Sequence, residues 1–279
     1  HADSELAQPA QAFLAVPVFK VMCAHGGCLV IANTTANPGL LLVSEPGFPG
    51  TFRRKLFPDP NGADITGVAS WEGHLYAFTL WTVFEIVESG PDAPLGSVPL
   101  TSGQGCVGPS TIRPTGFGVL VWRGADSFYG MKGGAGENIA RDKMPFIRTL
   151  NGGRAPQAVA EWCSEYGGYL CAVARSGKLG NDLVMAFDGN GWTQQDLNVK
   201  FSGFTRTKDA RQLVVGCGDG NVLVLDREQR SFTTIKRYRY RTNWLRPDPT
   251  GRMKFSISAI YLGMVESCSG KLDWTIWKN

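Results

Sequence analysis

The chain has 279 residues, of which 43% are hydrophobic and 19% are charged, and its formal net charge is +4. This balance excludes a disordered chain, and a charge this small does not by itself indicate nucleic-acid binding. No apolar run approaches the roughly 20 residues that span a bilayer, so we predict no membrane helix. The 35 glycines fall singly or in pairs between short apolar runs, which is typical of many tight turns.

The predicted elements are short strands, because apolar residues cluster in short runs or alternate with period two, and helical periodicity is almost absent. One unit recurs: a strand, a turn that usually contains glycine, a very apolar strand, a second turn and a third strand. The very apolar strands are predicted at 28–32, 75–78, 118–122, 169–173 and 212–216. Their spacing of roughly 43 to 51 residues is typical of β-propeller blades.

The neighbouring strands keep the same register in each unit. First strands are predicted at 19–24, 65–71, 109–115, 157–162 and 201–207. Third strands are predicted at 40–45, 83–89, 127–131, 182–187 and 221–226. More polar fourth strands follow at 192–199 and 232–238, as the solvent-facing edge of a blade requires.

These patterns predict an all-β fold, a β-propeller of about five or six four-stranded blades. A β-sandwich or one large barrel also contains many short strands, but neither repeats this unit. We expect an N-terminal arm or linker at 1–18 and the blades at 19–235. Residues 236–279 form longer alternating strands that either complete a final blade or begin an adjoining β-sheet domain.

The sequence offers few residues for catalysis or metal binding. Its seven cysteines are an odd number scattered through strand-like runs, which predicts buried thiols and a reducing compartment. Cys23, His25 and Cys28 resemble metal ligands, but structural zinc needs four ligands and no second cluster is present. We therefore expect a strand, a turn and a strand at this position, with no metal and no cofactor.

Two further patterns have simple structural interpretations. Segment 103–108 matches the glycine spacing of a dinucleotide-binding loop, but Pro109 and a β-type run follow where that loop needs a helix. The best candidate acids for a glycan-acting enzyme are Asp126, Asp188 and Asp219. Each is more simply interpreted as a turn aspartate. The sequence therefore predicts a protein that is not an enzyme.

One basic and aromatic segment is distinctive. In an extended strand at 236–246, three arginines lie on one face and two tyrosines lie on the other. The basic face would meet water, a partner's carboxylates or phosphates. The candidate interface or phosphate-contact residues are Arg237, Arg239, Arg241, Trp244 and Arg246.

A family resemblance rests on segment 105–112, Gly-Cys-Val-Gly-Pro-Ser-Thr-Ile, followed by the apolar strand 118–122 and by Ser127-Phe128-Tyr129. The run from Ile65 to Ile86 carries it as well. These segments resemble the blades of bacteriophage tail and head–tail connector proteins, the hub or nozzle proteins of short-tailed phages. That family includes packaged-DNA stabilisation and tail tubular proteins. The resemblance covers residues 19–235, and the change of pattern after Phe232 is similar to the family's switch into an adjoining sheet domain.

The resemblance implies a non-enzymatic virion structural protein, assembled in the host cytoplasm. It implies a cyclic ring of identical copies around the DNA path. The ring would contact other tail or connector proteins and would be able to make non-specific contact with genomic DNA. No contact with a membrane is implied. Two alternatives stay open. One is a monomeric propeller that acts as a protein-interaction adaptor, and the other is a glycan-acting propeller enzyme.

Overall fold

The computed structural model describes residues 16–88, 90, 94–163, 168–195, 201–206, 213–217 and 222–225. Two compact units divide the chain, residues 1–237 and 238–279, and every described residue belongs to the first.

The described chain folds into five successive antiparallel sheets in which neighbouring strands follow each other in sequence. Sheet 1 contains β1 (Phe19–His25), β2 (Cys28–Thr34), β3 (Leu41–Glu45) and β4 (Phe48–Leu56). Sheet 2 contains β5 (Ile65–Trp71), β6 (His74–Thr79), β7 (Thr82–Glu88) and β8 (Leu95–Ser102). Sheet 3 contains β9 (Arg113–Pro114), β10 (Leu120–Arg123), β11 (Phe128–Met131) and β12 (Glu137–Asn138).

Sheet 4 contains β13 (Val159–Cys163), β14 (Gly168–Val173), β15 (Leu183–Phe187) and β16 (Trp192–Gln195). Sheet 5 contributes β17 (Phe201–Arg206), β18 (Leu213–Cys217) and β19 (Val222–Leu225). First strands of consecutive sheets touch each other: β1 contacts β5, β9 contacts β13, and β13 contacts β17. Four-stranded meanders that meet through their first strands are the blades of a β-propeller, and this confirms the predicted fold class.

The core consists of layers between the sheets. Val30 and Val43 of sheet 1 pack with Leu75 and Phe84 of sheet 2. The opposite face of sheet 2 packs on sheet 3, where Trp122 is fully buried. The other face of sheet 3 packs on sheet 4 in the largest cluster. Strands with both faces covered must be apolar throughout, which explains the uninterrupted apolar runs in the sequence.

The predicted first strand at 109–115 is partly wrong. Residues Pro109–Thr111 form a 3-10 turn, and only Arg113–Pro114 pairs as a strand. The Thr111 hydroxyl donates a 2.6 Å hydrogen bond to the Gly108 carbonyl, which closes the turn locally instead of leaving the backbone extended.

Two faces of the propeller follow from the strand order. In an up-and-down sheet, the turn between the second and third strands lies at the same end as the exit from the fourth strand. We call this end the connection face, because the links between successive sheets lie there. The longest described link joins β12 to β13 and spans residues 139–158, and we call it the basic connection.

Candidate functional site

The basic connection contains a 3-10 turn (Arg141–Lys143), the short helix α1 (Met144–Ile147) and a second 3-10 segment (Gly152–Gln157). Ile147, Leu150 and Ala158 are buried in the cluster between sheets 3 and 4, so they fix this link on the core. The charged residues of the connection are mostly cationic. Four basic residues and one acidic residue, Asp142, lie in the segment; the basic ones are Arg141, Lys143, Arg148 and Arg154.

A buried arginine lies beside this connection. Arg123 ends β10, and only 3% of its surface is exposed. Its Nη1 donates a 2.7 Å hydrogen bond to the Ser127 carbonyl, and its guanidinium lies 5.0 Å from the centre of the Phe128 ring. The backbone N–H of Arg123 donates to the Thr111 hydroxyl at 2.9 Å. These contacts position the side chain between sheets 3 and 4.

The charge of Arg123 is only partly compensated. Within the described residues, no carboxylate lies within 4.0 Å of the guanidinium, although Asp126 acts on it from further away. Burial lowers the pKa of Arg123 from its ordinary value, and the neighbouring Cys171 and Asp126 oppose this shift. A buried cation without a close counter-ion is energetically costly, so a functional explanation is warranted.

Arg123 lines a cavity of about 10 Å³ with Asn151 and Arg154, and the rest of the lining is apolar. That volume holds about one water-sized group. The Arg154 guanidinium donates to Gln157 Oε1 at 2.7 Å. Asn151 Nδ2 donates to the Lys178 carbonyl at 3.0 Å. Asn151 and Arg154 of the connection therefore border a small, mostly apolar cavity that Arg123 also lines.

The Asn151 bond also fixes an exposed apolar side chain nearby. Lys178 is followed by Leu179, which is 77% exposed and lies in the turn between β14 and β15. The backbone N–H of Ser176 donates to the Thr149 carbonyl at 3.0 Å and holds the same turn against the connection. The connection face thus presents a leucine, a cationic connection and the Arg123 cavity side by side.

An exposed aromatic residue also lies on this face. Trp81, in the turn between β6 and β7, is 58% exposed, and its neighbour Leu80 is 40% exposed. Leu80 and Trp81 are adjacent and so expose contiguous apolar surface, and tryptophan is enriched where proteins bind each other.

The residues that resemble metal ligands lie on two paired strands. Cys23 and His25 belong to β1, and Cys28 begins β2, as the predicted strand, turn and strand require. His25 Nδ1 pairs with the Ser70 hydroxyl at 2.9 Å. No carboxylate bonds to the other ring nitrogen in the part of the chain that the structure describes, so this pair lacks the third group of a hydrolytic triad. Nor do three or more His, Cys, Asp or Glu side chains converge there.

The candidate acids for glycan chemistry shape turns where they are described. Asp188 accepts backbone N–H bonds from Asn190 and Gly191 at 2.9 and 2.8 Å. Asp126 is exposed and accepts a 2.6 Å hydrogen bond from the Tyr129 hydroxyl. Asp219 lies outside the described residues.

The dinucleotide-like segment 103–108 is a packed link between sheets. A Cβ on Gly105 would collide with the backbone of Thr79 and Trp81, and Cys106 is fully buried. A 3-10 turn of three residues follows, so no helix N-terminus is present to hold a pyrophosphate.

A polar groove of about 610 Å³ lies next to this link. It is lined by Gln104, Glu137, Asn138, Arg141 and Asp142, with Gly136 and Ile139. Opposite charges alternate along it, and it is open to solvent, so it does not enclose a small ligand.

The basic strand predicted to contact partners lies outside the described residues; it carries Arg237, Arg239, Arg241, Trp244 and Arg246.

Sequence reasoning missed Arg123 and the basic connection. The available signals were an arginine at the end of the apolar run 118–122 and the four basic residues within 141–154.

No helix among the described residues has the length and apolar character needed to cross a bilayer.

No protein-family model and no curated protein sequence matches the chain. Among solved structures, the chain is similar to a chain of the mitotic checkpoint complex, with 11% identity, a TM-score of 0.49 and coverage of 74% of this chain. The chain spans 60% of the length of that protein.

The chain is also similar to the dihydro-heme d1 dehydrogenase NirN, with 12% identity, a TM-score of 0.47 and coverage of 72% of this chain and 43% of that one. A third similarity is to the β-propeller domain of Cps50 (Swd1) from Myceliophteria thermophila. There the identity is 10%, the TM-score is 0.46, and 77% of this chain and 68% of that one are covered.

Proposed function

We propose that this chain is a non-catalytic β-propeller that binds another protein through its connection face. The observation that carries the proposal is Leu179, a leucine that is 77% exposed on a turn held in place by backbone bonds to the basic connection. An apolar side chain on a turn that hydrogen bonds hold in place can bind a partner at a lower cost in conformational entropy than one on a loose turn.

The chemistry of the described residues supports a binding function. The His25–Ser70 pair has no bonded carboxylate in this part of the chain, and Asp126 and Asp188 are engaged in turns. Two openings among the described residues are a cavity for one water-sized group and an open polar groove. Neither has the enclosed apolar form of a small-molecule site.

The test is capture of a partner by the purified chain from an extract of its source, followed by measurement of binding with the purified partner. Leu179→Asp should weaken that binding at least about tenfold, because a charge replaces a buried apolar contact. Val98→Asp is the matched control, since Val98 is 47% exposed on the outer strand β8, away from the connection face. Equal effects of the two variants would contradict the proposed surface.

A second candidate function is a subunit of a bacteriophage tail or head–tail connector ring. It is supported by the resemblance of segment 105–112 and the strand after it to blades of that family. Mass photometry of the purified full chain separates the two candidates, because a ring subunit forms a closed cyclic oligomer and an adaptor stays monomeric. A monomer at every concentration tested would contradict the ring.

A further inference from the structure

We propose that the Arg123 cavity receives one carboxylate oxygen of an acidic side chain presented by the bound protein. This inference rests on the proposed function and adds the chemistry of the partner. It places an aspartate or glutamate of the partner in the opening beside Leu179, with Arg123 at the floor and Arg154 at the rim.

The first argument is the unmet hydrogen-bonding capacity of Arg123. A guanidinium has five N–H donors, and here Nη1 alone has an acceptor among the described residues, the Ser127 carbonyl. Nε and Nη2 have no acceptor in the part of the chain that the structure describes, and neither atom is completely sealed from solvent. The free donors therefore remain accessible to a small acceptor, although Arg123 as a whole is 3% exposed.

The second argument is size. The cavity of about 10 Å³ accommodates a single oxygen atom of a ligand, as it would accommodate one water. Behind an inserted oxygen, a tetrahedral phosphoryl group is wider than a planar carboxylate, and an aromatic ring does not fit this volume at all. A carboxylate is planar and can insert one oxygen while its stem remains outside, which matches this opening.

The third argument is electrostatic. The basic connection carries four cations and one anion, and Lys178 adds a further cation beside Asn151. Such a rim attracts an acidic segment and raises its rate of association. Arg123 then pairs with the carboxylate inside the cavity, where water is excluded. The exposed Leu179 next to the rim offers an apolar contact to the residues that flank the acid.

The site can be tested on the wild-type chain, so the test does not depend on a variant folding. Acetate is the probe, and the readout is the Nε–Hε NMR signal of Arg123 during titration of sodium acetate against sodium chloride at constant ionic strength. We expect a saturable shift of this signal. The signals of Arg113 and Arg175 serve as internal controls, because these side chains already pair with Glu161 and Asp182.

Two outcomes would overturn the cavity assignment. One is a shift that does not saturate or that chloride produces equally. The other is a larger shift with inorganic phosphate than with acetate, which would replace the carboxylate by a phosphate ligand. Arg123→Lys keeps the charge but removes this Nε–Hε group, so the signal that disappears in the variant is identified as that of Arg123.

The partner identified under the proposed function completes the test. Arg123→Lys should weaken its binding roughly 30-fold, and acetate should compete with it. Arg154→Ala should weaken binding only a few-fold and mainly slow association, as a rim charge does. If Leu179→Asp weakens binding but Arg123→Lys and acetate do not, the carboxylate inference fails and the proposed function stands. If acetate binds and no partner depends on Leu179, the proposed function fails and the protein source of the carboxylate fails with it.

Discussion

The Tyr169 hydroxyl donates a 2.9 Å hydrogen bond to the backbone carbonyl of Thr111. Tyr169 is fully buried in β14 of sheet 4, whereas Thr111 belongs to the link that leads into sheet 3. One side chain therefore joins two blades through a backbone group that no strand ladder satisfies. Burial raises the pKa of this phenol well above its ordinary value, which keeps it a donor throughout the physiological range.

Tyr169→Phe should destabilise the chain by about 1–3 kcal/mol, because it leaves the buried Thr111 carbonyl without this donor. Urea unfolding followed by circular dichroism measures the change. Tyr76→Phe is the matched control: Tyr76 is 2% exposed, and its hydroxyl makes no hydrogen bond among the described residues. An equal loss in both variants would show that the interblade bond contributes little.

The link between sheets 2 and 3 depends on a glycine for steric reasons. A Cβ at Gly105 would overlap the backbone of Thr79, Leu80 and Trp81, and backbone atoms cannot move aside cheaply. Gly105→Ala should therefore cost more than about 2 kcal/mol or prevent folding. Gly152→Ala is the control, because nothing lies within 4 Å of its added Cβ and its φ is not positive. Its midpoint in urea should stay close to that of the wild type, and a comparable loss there would refute the steric explanation.

The blade pattern was predictable because both faces of the second strands are buried, and burial leaves a continuous apolar run in the sequence. The predicted strand at 65–71 coincides with β5. The outer strands β4 and β8 were not predicted, since Phe48–Leu56 and Leu95–Ser102 contain proline and glycine and alternate weakly. They form because an adjacent apolar strand offers its free edge, which is a tertiary effect.

The candidate site was less predictable than the fold. An arginine at the end of an apolar run usually reaches solvent, and the sequence does not reveal that residues 150–158 cover Arg123. Asp188 shows the opposite case. Its carboxylate accepts hydrogen bonds from the backbone N–H groups of Asn190 and Gly191, which are close to it in sequence. The turn could therefore be predicted from Asp-Gly-Asn-Gly alone.

Thr111 satisfies two backbone groups with one hydroxyl: it donates to Gly108 at 2.6 Å and accepts from the Arg123 N–H at 2.9 Å. Thr111→Val keeps the shape and removes both bonds. The Gly108 carbonyl still accepts from the Thr111 backbone N–H at 2.8 Å, but the buried Arg123 N–H loses its acceptor, so unfolding should become easier by about 1–3 kcal/mol. Thr149→Val is the control, since its exposed hydroxyl donates to Phe146 and water can replace it. Differential scanning calorimetry of the two variants measures the difference, and similar melting temperatures would contradict the explanation.

Buried thiols make the free energy of unfolding depend on pH in the alkaline range. Burial raises the pKa of Cys106 and Cys171 from 9.0 to about 12. Below pH 9 both the folded and the unfolded chain hold these protons, so the thiols do not change stability. Above pH 9 the unfolded chain releases protons that the folded chain retains, and the unfolded state is favoured increasingly. Tyrosines of the unfolded chain, with an ordinary pKa of about 10, also begin to ionise in this interval, so the contribution of one thiol is isolated by comparison with a variant that lacks it.

Over that interval the free energy of unfolding should fall by about 1 kcal/mol for each such thiol. Cys171→Ala changes stability at neutral pH through the lost packing, but its further loss between pH 9 and 10 should be about 1 kcal/mol smaller than that of the wild type. Urea titrations at pH 8, 9 and 10 give both quantities from one series. Equal losses in the two proteins would mean that Cys171 ionises as readily in the folded state as in the unfolded state, and therefore that water reaches it between sheets 3 and 4.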